Sequence, residues 1–421
     1  MRHVAFGARL EVVHRGDIVP VGEQAFAQMR SDESRPAGDQ YPRQSAPPIG
    51  ALALYLAAWV PAVRMVGELL GSAVSAPLSG LLAAISAVGA ARRGVLAGLV
   101  WAFALWCGLC GLRASDPWDG LRNAVELSAP WWLALAVASG RLGPSIAQRV
   151  WVAGAVPLLF TWVPALWVGP TTVVEHGQVR WLGPYANVHN AAMTFAVLTC
   201  VGLAAAWSGS GARRFGAAAV CAVSGLSLAL TQVRTGWVVV GVFVGVWAWS
   251  LGARRLAMGG SLVIAVAVAV ARRTDVVALL TGVPPPGGWG LIGTGRWAIW
   301  RDAVAAFADR SPSEWFFGLG LGGHLRLWKP VDPHAEWLSL LFQTGLVGLG
   351  LWVAGWVLWG RLLWQARRAG DKNAFALAWG LFVASASADL FSNAFMSRPT
   401  PQWIVWALIG TAIALRKPTP V

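Results

Sequence analysis

The chain has 421 residues, 56% of them hydrophobic and only 12% charged, with a mean hydropathy of +0.57. Soluble domains carry about 25% charged residues, so this composition excludes an ordinary soluble enzyme and points to a polytopic, all-α membrane protein. The net charge of +14 comes largely from arginine pairs between apolar runs, which marks cytoplasmic loops and not a nucleic-acid surface.

Residues 1–47 come first and mix both charge signs with Gln, Ser, Pro and Gly. No basic segment leads directly into an apolar core, so a cleavable signal peptide is excluded and a disordered cytoplasmic tail is expected. Membrane spans are predicted in 48–271, near 49–66, 70–90, 94–112, 122–140, 149–168, 187–207, 213–230, 236–252 and 256–271. A long insertion, 272–334, follows. The segment 335–421 then holds three further runs, near 335–360, 374–393 and 400–415, and a short cytoplasmic C-terminus. The total is about twelve transmembrane helices. Cys107, Cys110, Cys200 and Cys221 all lie inside apolar runs, where they are expected to pack as small residues without a disulfide.

Alternate connections carry the cations Arg92–Arg93, Arg141 with Arg149, Arg213–Arg214, Arg254–Arg255, Arg361 with Arg367–Arg368 and Lys372, and Arg416–Lys417. That side is predicted to be cytoplasmic, with both termini inside. The opposite, outer face then receives 113–120, 169–190, 231–236 and the insertion 272–334, which is too large to be only a connector. Within the insertion, GRWAIWRDAVAAFADR repeats Trp297, Trp300, Val304 and Phe307 at helical spacing. An amphipathic helix along the outer membrane surface is predicted there.

Candidate chemistry gathers on that face. Arg234, in LALTQVRTGWVVVGV, stands between two apolar runs with almost no loop around it. An arginine at that depth needs a partner, pore water or an anionic ligand, although snorkelling to the interface is the commoner use. Arg296 opens the amphipathic helix, where unpaired backbone N–H groups and the positive dipole end suit an anion. Arg272, Arg273 and Arg301 are further cations for substrate binding. His334, at the mouth of a membrane run with Glu336 beside it, is the proton acceptor best matched to neutral pH. Asp389, in ASADLFSNAF, is placed to orient that histidine or bind an acceptor hydroxyl, with an Arg398 pair as the alternative.

Two motifs are decoys. Gly318-Leu-Gly-Leu-Gly-Gly323 spells GxGxxG, but no strand–helix nucleotide unit surrounds it, and a tight turn with close backbone approach is expected instead. His324 and His334 with Asp332 and Glu336 lack metal-ligand spacing, so neither a metal nor another cofactor is expected.

Three segments together resemble the O-antigen ligase and polymerase superfamily of bacterial envelope glycosyltransferases. They are TQVRTGW (231–237), GTGRWAIWRDAVAAF (293–307), and GLGLGG with DPHAEWLSLLFQTGLVGLGLW (318–323 and 332–352). GPYANVHNAAM (183–193) is similar to the segment ahead of them and adds His189 to the substrate-binding candidates. The likeness covers roughly the C-terminal half. The family usually has Asn after the histidine, whereas Ala335 stands here. The resemblance implies transfer of a glycan from an undecaprenyl-pyrophosphate carrier to an acceptor sugar in the periplasm. About twelve helices with one dominant loop look most like the O-antigen ligase, which joins O-antigen to lipid A–core. It also implies His334 as base and Arg234 and Arg296 as pyrophosphate ligands, with inversion by single displacement. An O-antigen polymerase or a protein O-oligosaccharyltransferase shares the same donor. A secondary transporter is the rival from another class, disfavoured by polar groups gathered at one face and by the lack of an internal repeat.

Overall fold

The computed structural model describes residues 94–139, 162, 172–175, 178–183, 185, 187–253, 255, 258, 296–323, 335–392 and 399–415. All belong to one unit of the chain, Ala46–Val421. The tail, the runs near 49–66 and 70–90, and nearly all of those near 149–168 and 256–271 lie outside the described residues.

The elements follow from local sequence. Helix α1 (Gly94–Leu112) buries Val100, Phe103, Cys107 and Cys110, a stripe at three- and four-residue spacing. Its opposite face exposes Trp101, Leu105 and Leu109, as a helix facing lipid would. Helix α2 (Pro117–Ser139) starts on a proline, which needs no N–H in the first turn. Asp116 Oδ1 accepts from the N–H groups of Trp118 and Asp119 at 2.9 and 3.3 Å, satisfying donors that the helix start leaves open.

The 169–190 connection is not a plain loop. It contains an antiparallel hairpin, β1 (Thr172–Glu175) and β2 (Gln178–Trp181), with Thr172 opposite Trp181 and Glu175 opposite Gln178. Helix α3 (Val188–Ser208) is capped by Asn187, whose side chain accepts from His189 N–H. Helix α4 (Gly211–Thr231) ends at Gln232 in the left-handed region, φ 56°, and α5 (Arg234–Ser250) starts two residues later.

In the insertion, α6 (Arg296–Ala308) and α7 (Pro312–Phe317) form. The second has a reciprocal capping box between Ser311 and Glu314. The long α8 (Glu336–Ala369) is two helices joined at Gly345, where φ is 67° and ψ −172°. Helices α9 (Lys372–Phe391) and α10 (Pro399–Ala414) complete the described fold.

Among the described residues, five helices are long and apolar enough to cross a membrane, namely α1, α3, α4, α8 and α9, with a shorter apolar helix in α10. The described residues thus fit a mostly helical, multi-pass membrane protein. Small residues set the close crossings. A Cβ on Gly202 of α3 would lie 2.7 Å from Cys221 Cα of α4, and one on Gly410 of α10 would lie 2.6 Å from Ala134 O of α2. At the centre of α2, α8, α9 and α10, Trp406 meets Trp356 and Trp359 at ring separations of 5.3 and 5.5 Å.

Helices α5 and α9 are antiparallel. Lys372 Nζ, at the start of α9, donates to Leu251 O beyond the end of α5, and Gly380 sits against Phe243 and Trp247. Continuing that register brings the last turn of α9 level with the start of α5. Arg234 and Asp389 therefore occupy the same end of the bundle.

Candidate functional site

The break in α8 shapes the site. Trp337 Nε1 donates to Leu390 O at 3.2 Å, while Trp352 lines a small cavity with Asp389. Fifteen residues of straight helix would separate those tryptophans by about 22 Å. Both reach the last turn of α9, so the segment before Gly345 must fold back across the end of the bundle.

A break exposes carbonyls that a continuous helix would satisfy, which is tolerated in a membrane only where other donors take them. The Gly318–Gly323 segment supplies those donors. Leu319 N–H donates to Phe342 O at 2.8 Å, and Gly320 N–H to Gln343 O at 3.1 Å. The Trp106 indole donates to Thr344 O at 2.9 Å, and Gly322 N–H reaches Gln343 Oε1 at 3.0 Å. Leu321 N–H donates to Cys110 O, which ties the same segment to the end of α1. Gly318, Gly320 and Gly322 all have positive φ. The GxGxxG run is thus the close backbone approach expected of it.

Beneath α6 lies a compact apolar contact. Ala303 and Phe307 pack on Ala335, Leu338, Leu341 and Phe342 at the start of α8, with Trp300 beside them. Val304, expected on the buried face, is exposed. The stripe runs through Ala303 because α6 leans on α8, and what a helix packs against decides its inner face. Arg296 belongs to the same stripe, four residues before Trp300, and its Nη1 donates to Phe391 O. Arg301 is on the other side, paired with neighbouring Asp302 at 3.0 Å and well exposed.

Glu336 is buried in the first turn of α8. Ala335 precedes it at the N-cap position with no side chain to cap the helix. Asp389 is fully buried in the last turn of α9. Its cavity, about 10 Å³ and close to the room a single water needs, is also lined by Trp356, Ser385 and Gln402.

Arg234 is exposed at the start of α5. Nearby, Gln232 Nε2 donates to Val179 O of the hairpin at 3.2 Å. Trp181 and Tyr185 anchor the hairpin on Phe195, with ring separations of 6.1 and 5.8 Å. His189, half-buried in the first turn of α3, follows directly. Arg272, Arg273 and His334 lie outside the described residues, as does His324. His334 is nevertheless two residues from Glu336.

The site end thus gathers Arg234, Arg296, Glu336, Asp389 and the hairpin with His189. Arg301 does not point with them. Two residues that sequence reasoning missed belong here. Arg180 is a half-buried cation on β2, and its signal was a positive charge in the 169–190 connection, which the arginine pattern predicts to face away from the cytoplasm. Gln402 shares the Asp389 cavity, and its only signal is an amide inside an apolar run. At the same end, the Glu314 carboxyl is held below its ordinary pKa by hydrogen bonds from Ser311, first from its backbone and then from its side chain. Among the described residues, no three His, Cys, Asp or Glu side chains come together.

No family model matches the chain. A stretch of 123 residues, 28% of the chain, is 29% identical to a Pseudomonas aeruginosa protein named O-antigen ligase. The match spans only 29% of that relative's length.

Proposed function

We propose that the protein is an O-antigen ligase. It transfers O-antigen from undecaprenyl pyrophosphate to a sugar hydroxyl of lipid A–core at the periplasmic face of the inner membrane. The observation that carries this reading is the meeting of three elements at one end of the bundle. The starts of α6 and α8, bearing Arg296 and Glu336, are hydrogen-bonded to the last turn of α9. The similarity to a protein of that name supports the class of reaction.

The chemistry follows from the residue types. The bond between the donor's anomeric carbon and the pyrophosphate breaks, and its electron pair leaves negative charge on the phosphate oxygen. Arg296 and Arg234 neutralise that charge where it develops, in a water-poor interface where such contacts are strong. His334 takes the proton from the acceptor hydroxyl as the new glycosidic bond forms. Single displacement inverts the anomeric carbon, and the products are O-antigen on lipid A–core and free undecaprenyl pyrophosphate. Arg272 and Arg273 add charge for the donor headgroup. Glu336, Asp389 and His189 are acceptor-side candidates.

Broken membrane helices also occur in transporters, where unwound carbonyls coordinate ions. Here Phe342 O, Gln343 O and Thr344 O are already bonded within the protein, which favours a fixed scaffold over an ion site. The test is reconstitution of the purified protein with the lipid-linked donor and lipid A–core. Glycan on lipid A–core supports the proposal. Elongated lipid-linked polymer would replace it with a polymerase, and glycan on a protein acceptor with an oligosaccharyltransferase. Movement of donor without transfer would indicate a transporter.

A further inference from the structure

We propose a binding groove for an anionic phospholipid at the end of the bundle opposite the candidate site. The groove, about 950 Å³, lies between α5, the C-terminal end of α8 and α9. That is near the upper limit of the roughly 300–1,000 Å³ usual for small-ligand pockets. Val242, Val246, Phe375, Trp379 and Val383 form its apolar walls, and Arg367 and Lys372 stand at its mouth.

The dimensions match a lipid. The mouth is level with Ser250 and Lys372, and the walls reach inward to Val242 and Val383. Eight and eleven residues of helix at 1.5 Å each give a depth of about 12–16 Å. Half of a typical ~30 Å hydrocarbon core is about 15 Å. One acyl chain can therefore follow the walls while its headgroup stays at the helix ends.

Both mouth cations are already oriented. Arg367 lies over the Trp364 ring, 4.8 Å from its centroid, and Lys372 Nζ is anchored by Leu251 O at 3.1 Å. Each retains donors for a phosphate, since guanidinium and ammonium carry five and three N–H groups. The carboxylate at this mouth, Asp371, caps α9 by accepting from Asn373 N–H and Ala374 N–H at 2.7 and 3.1 Å. Two cations against one committed carboxylate favour a net negative headgroup. A free anion would not use the apolar walls, and a zwitterionic lipid would not use the charge excess.

The experiment places the full chain in nanodiscs of phosphatidylcholine with increasing phosphatidylglycerol. Retained lipid is then read by native mass spectrometry after transfer to detergent. Wild type should retain phosphatidylglycerol in preference to phosphatidylcholine. Arg367→Gln/Lys372→Gln should weaken that retention roughly 30-fold, or about 2 kcal/mol at 1.4 kcal/mol per tenfold. Arg367→Lys, which keeps the charge and guards against simple misfolding, should retain most of it. Equal retention of both lipids, unchanged retention in the double variant, or no lipid on wild type would each overturn the proposal. None of these outcomes depends on glycosyl transfer.

Discussion

Gly345→Ala is the sharpest structural perturbation. At φ 67° and ψ −172°, Gly345 occupies a region that essentially only glycine visits, and a side chain there costs about 1–3 kcal/mol in strain. There is also no room. A Cβ would lie 2.3 Å from Phe316 O, 2.5 Å from Phe316 C and 2.6 Å from Gly318 N. Phe316 and Gly318 must then withdraw, and the neighbouring bonds from Leu319 and Gly320 to the freed carbonyls are lost at about 1 kcal/mol each. Together these give about 4 kcal/mol of destabilisation. Denaturant unfolding of the protein in mixed micelles, followed by tryptophan fluorescence, reads this directly. Gly350→Ala is the control, since nothing lies within 4 Å of its added Cβ. If Gly345→Ala unfolded within about 0.5 kcal/mol of wild type, the break in α8 would not be held by the glycine contact and this reasoning would fail.

Other outcomes follow from single contacts. Trp106→Phe removes the donor to Thr344 O and should cost about 1 kcal/mol in the same unfolding assay. Arg296→Lys keeps the charge but loses the planar fork, so transfer should fall about 10²–10³-fold with stability nearly unchanged. Because its folded-state pKa is lowered, the Glu314 carboxyl stabilises α7 above the usual carboxylate range. That contribution fades as pH falls through the lowered value. Ser311→Ala removes the side-chain hydrogen bond but keeps the larger backbone one, so it should reduce this part of the acid dependence without abolishing it, a change below about 1 kcal/mol for so exposed a group, visible by comparing unfolding at neutral and acidic pH.

Much of the helical framework was legible because long apolar runs bounded by Arg, Gly or Pro leave few alternatives. The run at 94–112 coincides with α1, and that at 187–207 is one residue from α3. Hydropathy misplaced ends where polar residues continue a helix. The 335–360 run extends to Ala369 because Arg361, Arg367 and Arg368 prolong α8 past its apolar part. The hairpin went unread because its strands are only four residues each, too short for a periodicity. FQTGLVGLG offers three glycines, and nothing local selects Gly345 over Gly348 or Gly350 as the break. The choice comes from Gly318, 27 positions earlier, whose own Cβ would collide with Gln343 O at 2.5 Å. The Gly318–Gly323 run was readable as close packing, but its partner was not. At the site, Arg296 and Glu336 could be read from their places at helix starts. Arg301 could not be separated from them, because sequence spacing alone does not say which side of α6 meets α8.

The measurement that tests the catalytic proposal most directly is transfer by the purified protein from undecaprenyl-pyrophosphate-linked O-antigen to lipid A–core, wild type beside His334→Ala, across pH. Donor binding is measured in parallel. The prediction is that donor binding survives the substitution while transfer drops at least ~10²-fold, the usual minimum contribution of a general base. The wild-type rate should rise with pH through the histidine range, and the variant should lose that dependence. A variant that transfers at the wild-type rate with the same pH profile would contradict the role of His334 as base and the mechanism built on it.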